Sequence, residues 1–152
     1  MAFYQFKKEI IVNTDKESLW DFISSPKNLK KITPDYMGFD ITSGDFEDMY
    51  QGMIISYKVS PLLGIKTTWV TEITHCEEGK YFVDEQRVGP YSMWHHQHII
   101  EEIDSKSCKM IDIVSYSPPF SFLGSIANSL FIKSKLNEIF EYRENVFKTL
   151  FK

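Results

Sequence analysis

Asp84, His96, His98 and Asp112 are the residues of this chain whose types and spacing suit proton transfer. Imidazole titrates nearest neutrality, and a neighbouring carboxylate orients the ring and holds its proton. Trp94, His96, His98 and Ile100 alternate with His95 and Gln97, so in a strand they share one face. A tight connection through Gly89, Pro90 and Tyr91 sets Asp84 opposite His96 and Gln86 opposite Trp94. A second, through Asp104 and Ser105, places Asp112 near His98. If the chain is an enzyme, these two histidines and two aspartates are its catalytic candidates, and enolisation, aldol cyclisation or dehydration suits them. The competing reading is of polar groups that satisfy one another inside a mostly apolar cavity, where they fix a ligand's orientation or hold ordered water.

The neighbours of these residues extend the same face. A two-residue turn at Glu78-Gly79 sets Phe82, Asp84 and Gln86 beside His75, Ile73 and Thr71, with Trp69 further along. The expected ligand contacts are therefore Trp69, Thr71, Phe82, Gln86 and Trp94 with His96 and His98. Tyr116, and Phe140 and Arg143 on a C-terminal helix, complete the set. The opposite facing stays open, with Val70, Val83 and Ile99 inward and the histidines on an outer surface. Arg143 has two readings as well: an anchor for a ligand carboxylate or phosphate, or an ion pair with Glu85, Asp84 or a glutamate of its own helix. Leu62 and Leu63, with Pro118-Pro119-Phe120, either gate the cavity or cap the core.

Other chemistries find less support. His96 and His98 at i, i+2 can share an ion, but no H-E-x-x-H or paired-cysteine pattern accompanies them, so no metal and no cofactor is expected. No glycine-flanked serine elbow is present, and neither Cys76 nor Cys108 has a basic neighbour to activate it. The two cysteines are far apart and read as free thiols in a reducing compartment. A net charge of -4 with interleaved signs argues against a nucleic-acid surface. The start of the chain has no signal-peptide pattern and no apolar run is long enough to span a bilayer, so cytoplasmic placement without stable membrane insertion is expected. A homodimer is left open.

At 152 residues and 43% hydrophobic, the chain fits one domain with a sizeable core, residues 1–152. Residues 3 to 12 alternate as a strand. Thr14-x-x-Glu17 reads as a capping box for a short helix bearing Leu19, Trp20, Phe22 and Ile23, and Ser25-Pro26 opens a second. Period-two signals then mark six strands, broken by Ser43-Gly44, Gln51-Gly52, Glu78-Gly79 and Gly89-Pro90. From about Ser125 a long helix carries Leu136, Ile139, Phe140, Phe147 and Leu150 on its apolar side.

That order resembles the helix-grip order of the START-like, polyketide cyclase/dehydrase (SRPBCC) superfamily, the fold of the major birch pollen allergen, in a bacterial ligand-binding branch. The residues that carry the likeness include Thr33-Pro34, Pro61-Leu62-Leu63, Phe82-Val83-Asp84-Glu85-Gln86, Gly89-Pro90-Tyr91, Trp94-His95-His96-Gln97-His98 and Ile139-Phe140-Glu141-Tyr142-Arg143. The resemblance implies an α+β fold in which a curved antiparallel sheet of about seven strands wraps around the C-terminal helix. It also implies a cavity between them for a small hydrophobic or amphipathic molecule, such as a lipid or an aromatic polyketide. A kinship of fold does not by itself imply one reaction.

Overall fold

The computed structural model describes residues 2–61, 63–118 and 125–152. Strand β1 (Tyr4–Val12) leads into α1 (Lys16–Ile23), α2 (Pro26–Leu29) and two 3-10 turns (Lys30–Ile32 and Asp35–Met37). Six strands follow: β2 (Asp40–Ile41), β3 (Ile54–Val59), β4 (Thr67–Glu77), β5 (Tyr81–Val88), β6 (Met93–Asp104) and β7 (Ser107–Ser117). Helix α3 (Ser125–Leu150) comes last. The strands form one antiparallel sheet in the order β1-β7-β6-β5-β4-β3-β2. This is the expected helix-grip arrangement: a meander closed on one side by the first strand, which pairs with β7 from Tyr4↔Tyr116 to Val12↔Cys108.

Local chemistry sets most element boundaries, with one shift. Asp15, not Thr14, caps α1, its Oδ1 accepting the Ser18 N–H at 2.8 Å. The Thr14 N–H is instead tied to the Val12 carbonyl at 3.0 Å as the chain leaves β1. Lys8, a charge among the inward residues of β1, pairs with Glu144 of α3 at 3.1 Å.

The β4–β5 connection decides which side chains face inward. It takes three residues rather than the expected two, with Glu77 opposite Tyr81 and Gly79 in the left-handed region at φ +72° that glycine adopts without strain. Alone, that extra residue would turn β4 over. A bulge between Ile73 and His75 absorbs the slip, returning Ile73 opposite Asp84 and Thr71 opposite Gln86. His75, expected beside Phe82, is consequently exposed and opposite Val83, and Cys76 stands across from Phe82.

Two apolar clusters join sheet to helices. One gathers Ile10, Leu19, Trp20, Phe82 and Phe147; the other gathers Phe6, Trp69, Tyr91, Leu136 and Phe140. Phe140 and Phe147 stand seven residues apart on α3, so two helical turns place one ring in each cluster. Leu150, expected on the buried side, is exposed, and Phe151 packs against Phe22 and Phe147 in its stead. Both cysteines are free, and burial raises their thiol pKa values, which fits inert thiols.

The β5–β6 turn is clamped by one side chain. Gln86 donates through Nε2 to the Tyr91 carbonyl at 2.7 Å and accepts the Tyr91 N–H on Oε1 at 3.1 Å. A Cβ on Gly89 would lie 2.4 Å from that Oε1, so the clamp needs glycine there. Gly89→Ala is expected to destabilise the protein by about 1 to 3 kcal/mol through overpacking. Urea unfolding measures it, and an unchanged midpoint would show that the clamp is not made in solution.

Candidate functional site

The inward face of the sheet, α2, the 3-10 turns and α3 enclose a cavity of about 130 Å³. Of the residues expected at it, Trp69, Thr71, Phe82, Asp84, Trp94, His96, His98, Phe140 and Arg143 all line it, so the facing with Val70, Val83 and Ile99 inward is not the one adopted. Cross-strand pairing explains the convergence: Asp84 is opposite His96, and His98 opposite Asp112, as the hairpin spacing predicts.

Three expected site residues stand elsewhere. Gln86 does not line the cavity, because its amide is spent on the Tyr91 backbone. Tyr116 lies behind the wall, its ring 6.1 Å from Tyr91 and 6.4 Å from Trp94. Asp112 is 0% exposed and sits beneath the histidines rather than at the cavity surface. The partner of Arg143 is this Asp112, not Glu85 or Asp84. Glu85 points to the other face and pairs with His95 at 2.6 Å and Arg87 at 3.3 Å. Of the expected rim, Pro61 lines the cavity and Leu63 is exposed, while Leu62, Pro119 and Phe120 lie outside the described residues.

Several walls went unpredicted. Tyr57 of β3 stacks on Trp69 with ring centres 6.1 Å apart, and Tyr91 meets the same indole edge-on at 5.7 Å. Leu29 and Thr33, from α2 and the loop after the first 3-10 turn, and Lys135 and Ile139 of α3 are partly exposed lining residues that mark the rim. The Tyr57 signal was present, since it shares strand parity with Ile55 and Val59. The placement of the short helices over the sheet has no such local signature.

The polar wall is a network around two aspartates, in which Asp112 Oδ2 and Arg143 Nε are buried without a hydrogen-bond partner among the described residues. His96 Nε2 lies 2.8 Å and His98 Nδ1 3.2 Å from Asp112 Oδ1. The opposite nitrogens face Asp84 Oδ2, His98 Nε2 at 2.6 Å and His96 Nδ1 at 3.6 Å. The two imidazoles are 3.7 Å apart, centre to centre. Arg143 donates through Nη1 to the same Asp112 Oδ1 at 3.2 Å and lies over the Phe140 ring. Above the network, Trp69 Nε1 donates to Thr71 Oγ1 at 3.1 Å, leaving an otherwise aromatic wall.

Burial and charge push these groups apart. Burial would raise the Asp112 carboxyl, but the Arg143 charge and hydrogen bonds from His96 and His98 hold it well below the usual carboxylate range. Asp84 is likewise lowered, its burial outweighed by the His98 hydrogen bond and the surrounding positive charge. For His98, burial opposes protonation, yet two carboxylate hydrogen bonds prevail and its pKa rises. His96 falls, because burial and the charge of His98 oppose a second proton. Two carboxylates thus face one guanidinium and two imidazoles whose pKa values are driven in opposite directions.

Neither a protein-family model nor a curated protein sequence matches the chain. Solved structures match it along nearly its whole length. A START superfamily protein from Mycobacterium smegmatis superposes with a TM-score of 0.69 at 10% identity, over 97% of this chain and 96% of that one. The Zhui aromatase/cyclase from Streptomyces gives 0.70 at 10% identity, over 96% and 92%. Norcoclaurine synthase from Thalictrum flavum, in complex with dopamine and hydroxybenzaldehyde, gives 0.66 at 14%, over 98% and 87%. At such identities the likeness establishes the fold, which is the START-like, SRPBCC helix-grip fold. Among the described residues, no helix is long and apolar enough to cross a membrane.

In chelator-treated protein, ring ¹⁵N shifts followed against pH should show His98 protonated above its ordinary value of 6.5 and His96 neutral below it. By linkage, His98 contributes stability in full below about 6.5 and loses it as the pH rises through its folded value; His96 acts in the opposite direction. The lowered aspartates contribute above 3.8 and lose that contribution as the pH falls through their folded values. Two independent titrations, both near 6.5, would contradict the network.

Proposed function

We propose that the chain, as one domain, binds a small, mostly apolar molecule bearing one polar end, in the cavity between sheet and α3. The observation that carries this is the division of the cavity wall: aromatic rings of Tyr57, Trp69, Tyr91 and Trp94 on one side, and Asp84, His96 and Arg143 grouped on the other. Apolar walls with a few convergent polar groups are how small-molecule sites combine affinity with orientation. A volume near 130 Å³ suits a single ring, since an apolar cavity of about 150 Å³ accepts benzene. A lipid or fused-ring ligand requires the rim at Pro61 and Ile139 to open. Similar folds in an aromatase/cyclase and in a synthase complexed with two aromatic molecules support an aromatic ligand.

A second reading, an acid-base enzyme of cyclase or dehydratase type, has one specific support: His96 lines the cavity while its Nε2 is held by Asp112. The bound molecule would then exchange a proton with the His96–Asp84 edge. Cytoplasmic location is a further part of the proposal, which fractionation addresses, while the open question of a homodimer is one for solution mass.

Titration with phenol, followed by the side-chain N–H resonances of Trp69 and Trp94, is expected to saturate at one equivalent. Native mass spectrometry of protein from its own host should show a retained small molecule. No saturable shift and no retained molecule would overturn the binding reading. Turnover of a bound compound that His96→Gln abolishes without weakening binding would establish the enzymatic one.

A further inference from the structure

We infer that Asp84, His96 and His98 form a three-ligand site for a divalent transition-metal ion at the inner end of the cavity, with Asp112 as the carboxylate that orients both histidines. One ligand atom from each of the three residues lies within 4.8 Å of the other two, Asp84 Oδ2 standing 3.6 Å from His96 Nδ1 and 2.6 Å from His98 Nε2, and all three residues line the cavity. No metal-binding motif accompanies the histidines of β6; it is the hairpin pairing of Asp84 with His96 that brings the third ligand to them from β5.

The strongest support is on the far side of the rings. A metal-ligating histidine characteristically donates its other ring N–H to a carboxylate, which fixes tautomer and orientation. Here both histidines meet that requirement at one atom: His96 Nε2 and His98 Nδ1 lie 2.8 and 3.2 Å from Asp112 Oδ1. Uptake of an ion then displaces the proton through which His98 Nε2 hydrogen-bonds Asp84 Oδ2 at 2.6 Å, so that His98 Nε2 and His96 Nδ1 coordinate beside Asp84. Arg143 is paired with Asp112, so its guanidinium does not engage the Asp84 carboxylate by hydrogen bond.

At the tetrahedral angle, an ion about 2.0 to 2.2 Å from each donor sets ligand-to-ligand separations of about 3.3 to 3.6 Å. The present 3.6 Å between His96 Nδ1 and Asp84 Oδ2 already suits this, and the 2.6 Å between His98 Nε2 and Asp84 Oδ2 must open by about 1 Å or less. Because the rings lie face to face, 3.7 Å apart and 32° from parallel, one imidazole must also swing about its side-chain bond while keeping Asp112. Two imidazoles and a carboxylate suit borderline ions such as Zn²⁺, Fe²⁺ or Co²⁺ and leave coordination positions directed into the cavity. The site does not depend on any organic molecule occupying the cavity, so it stands or falls separately from the binding proposal.

The full-length chain, dialysed against EDTA and free of added organic ligand, is titrated with Co²⁺ and with Zn²⁺. One equivalent is expected, with visible Co²⁺ ligand-field absorption, a raised melting temperature and quenching of Trp94, whose ring lies 6.1 Å from His96. Asp84→Asn and His98→Gln should each weaken uptake by more than the about 10- to 100-fold that an outer partner is worth, and Asp112→Asn by about that factor. His95→Gln, on the outer face, should leave uptake unchanged. Should a variant not fold, paramagnetic broadening in the unaltered protein decides: Co²⁺ must broaden the ring signals of His96 and His98 before those of His75 and His95. Absence of a one-equivalent phase, broadening centred on His75 or His95, or full uptake by folded Asp84→Asn would overturn the site.

Discussion

One oxygen atom organises the inner half of this molecule. Asp112 Oδ1 lies within hydrogen-bond distance of His96 Nε2, His98 Nδ1 and Arg143 Nη1, while the residue is 0% exposed. Burying a carboxylate costs several kcal/mol, and the cost is offset only where donors and counter-charge converge on it. The convergence brings together β7, which supplies the carboxylate, β6, which supplies the imidazoles, and α3, which supplies the guanidinium. Rotation of α3 is thereby fixed twice, by Phe140 and Phe147 in the two apolar clusters and by Arg143 on Asp112. The polar wall of the cavity is therefore part of what holds helix to sheet.

The clamp at Gln86 plays a matching part for the aromatic wall. Its amide completes the β5–β6 turn, and the turn aims Tyr91 at Trp69 and Trp94. Gln86 and Tyr116 thus support the cavity without lining it: one fixes the turn, the other backs the rings. Two walls of contrasting character, each held by its own hydrogen-bond anchor, give the cavity its polarity from end to end.

Much of this was legible in the chain. Alternation along Trp94 to Ile100 and the short connections on either side placed Asp84 against His96 and His98 against Asp112, since antiparallel pairing follows from turn length. The β4 register shows how such reasoning can be right in one half and wrong in the other. Thr71 and Ile73 face inward as expected, but His75 does not, because a three-residue turn and a bulge compensate each other and neither disturbs the hydrophobic pattern. The partner of Arg143 was not legible, because the helix docks through contacts 31 residues apart in sequence. Glu85, Asp84 and a glutamate of the helix itself were the candidates, and Asp112 emerged as the partner only once α3 was laid across the sheet. The cap at Asp15 was misplaced by one residue for a smaller reason, two adjacent oxygen-bearing side chains competing for one position.

A double-mutant cycle between Asp112→Asn and Arg143→Met, read by urea unfolding, tests the central role of the buried carboxylate most directly. Each single change leaves a buried charge without its partner and is expected to cost about 3 to 5 kcal/mol. The double variant should cost well under the sum of the two, with a coupling energy above about 1 kcal/mol. Additivity within about 0.5 kcal/mol would mean that Asp112 and Arg143 act independently, and would contradict the account.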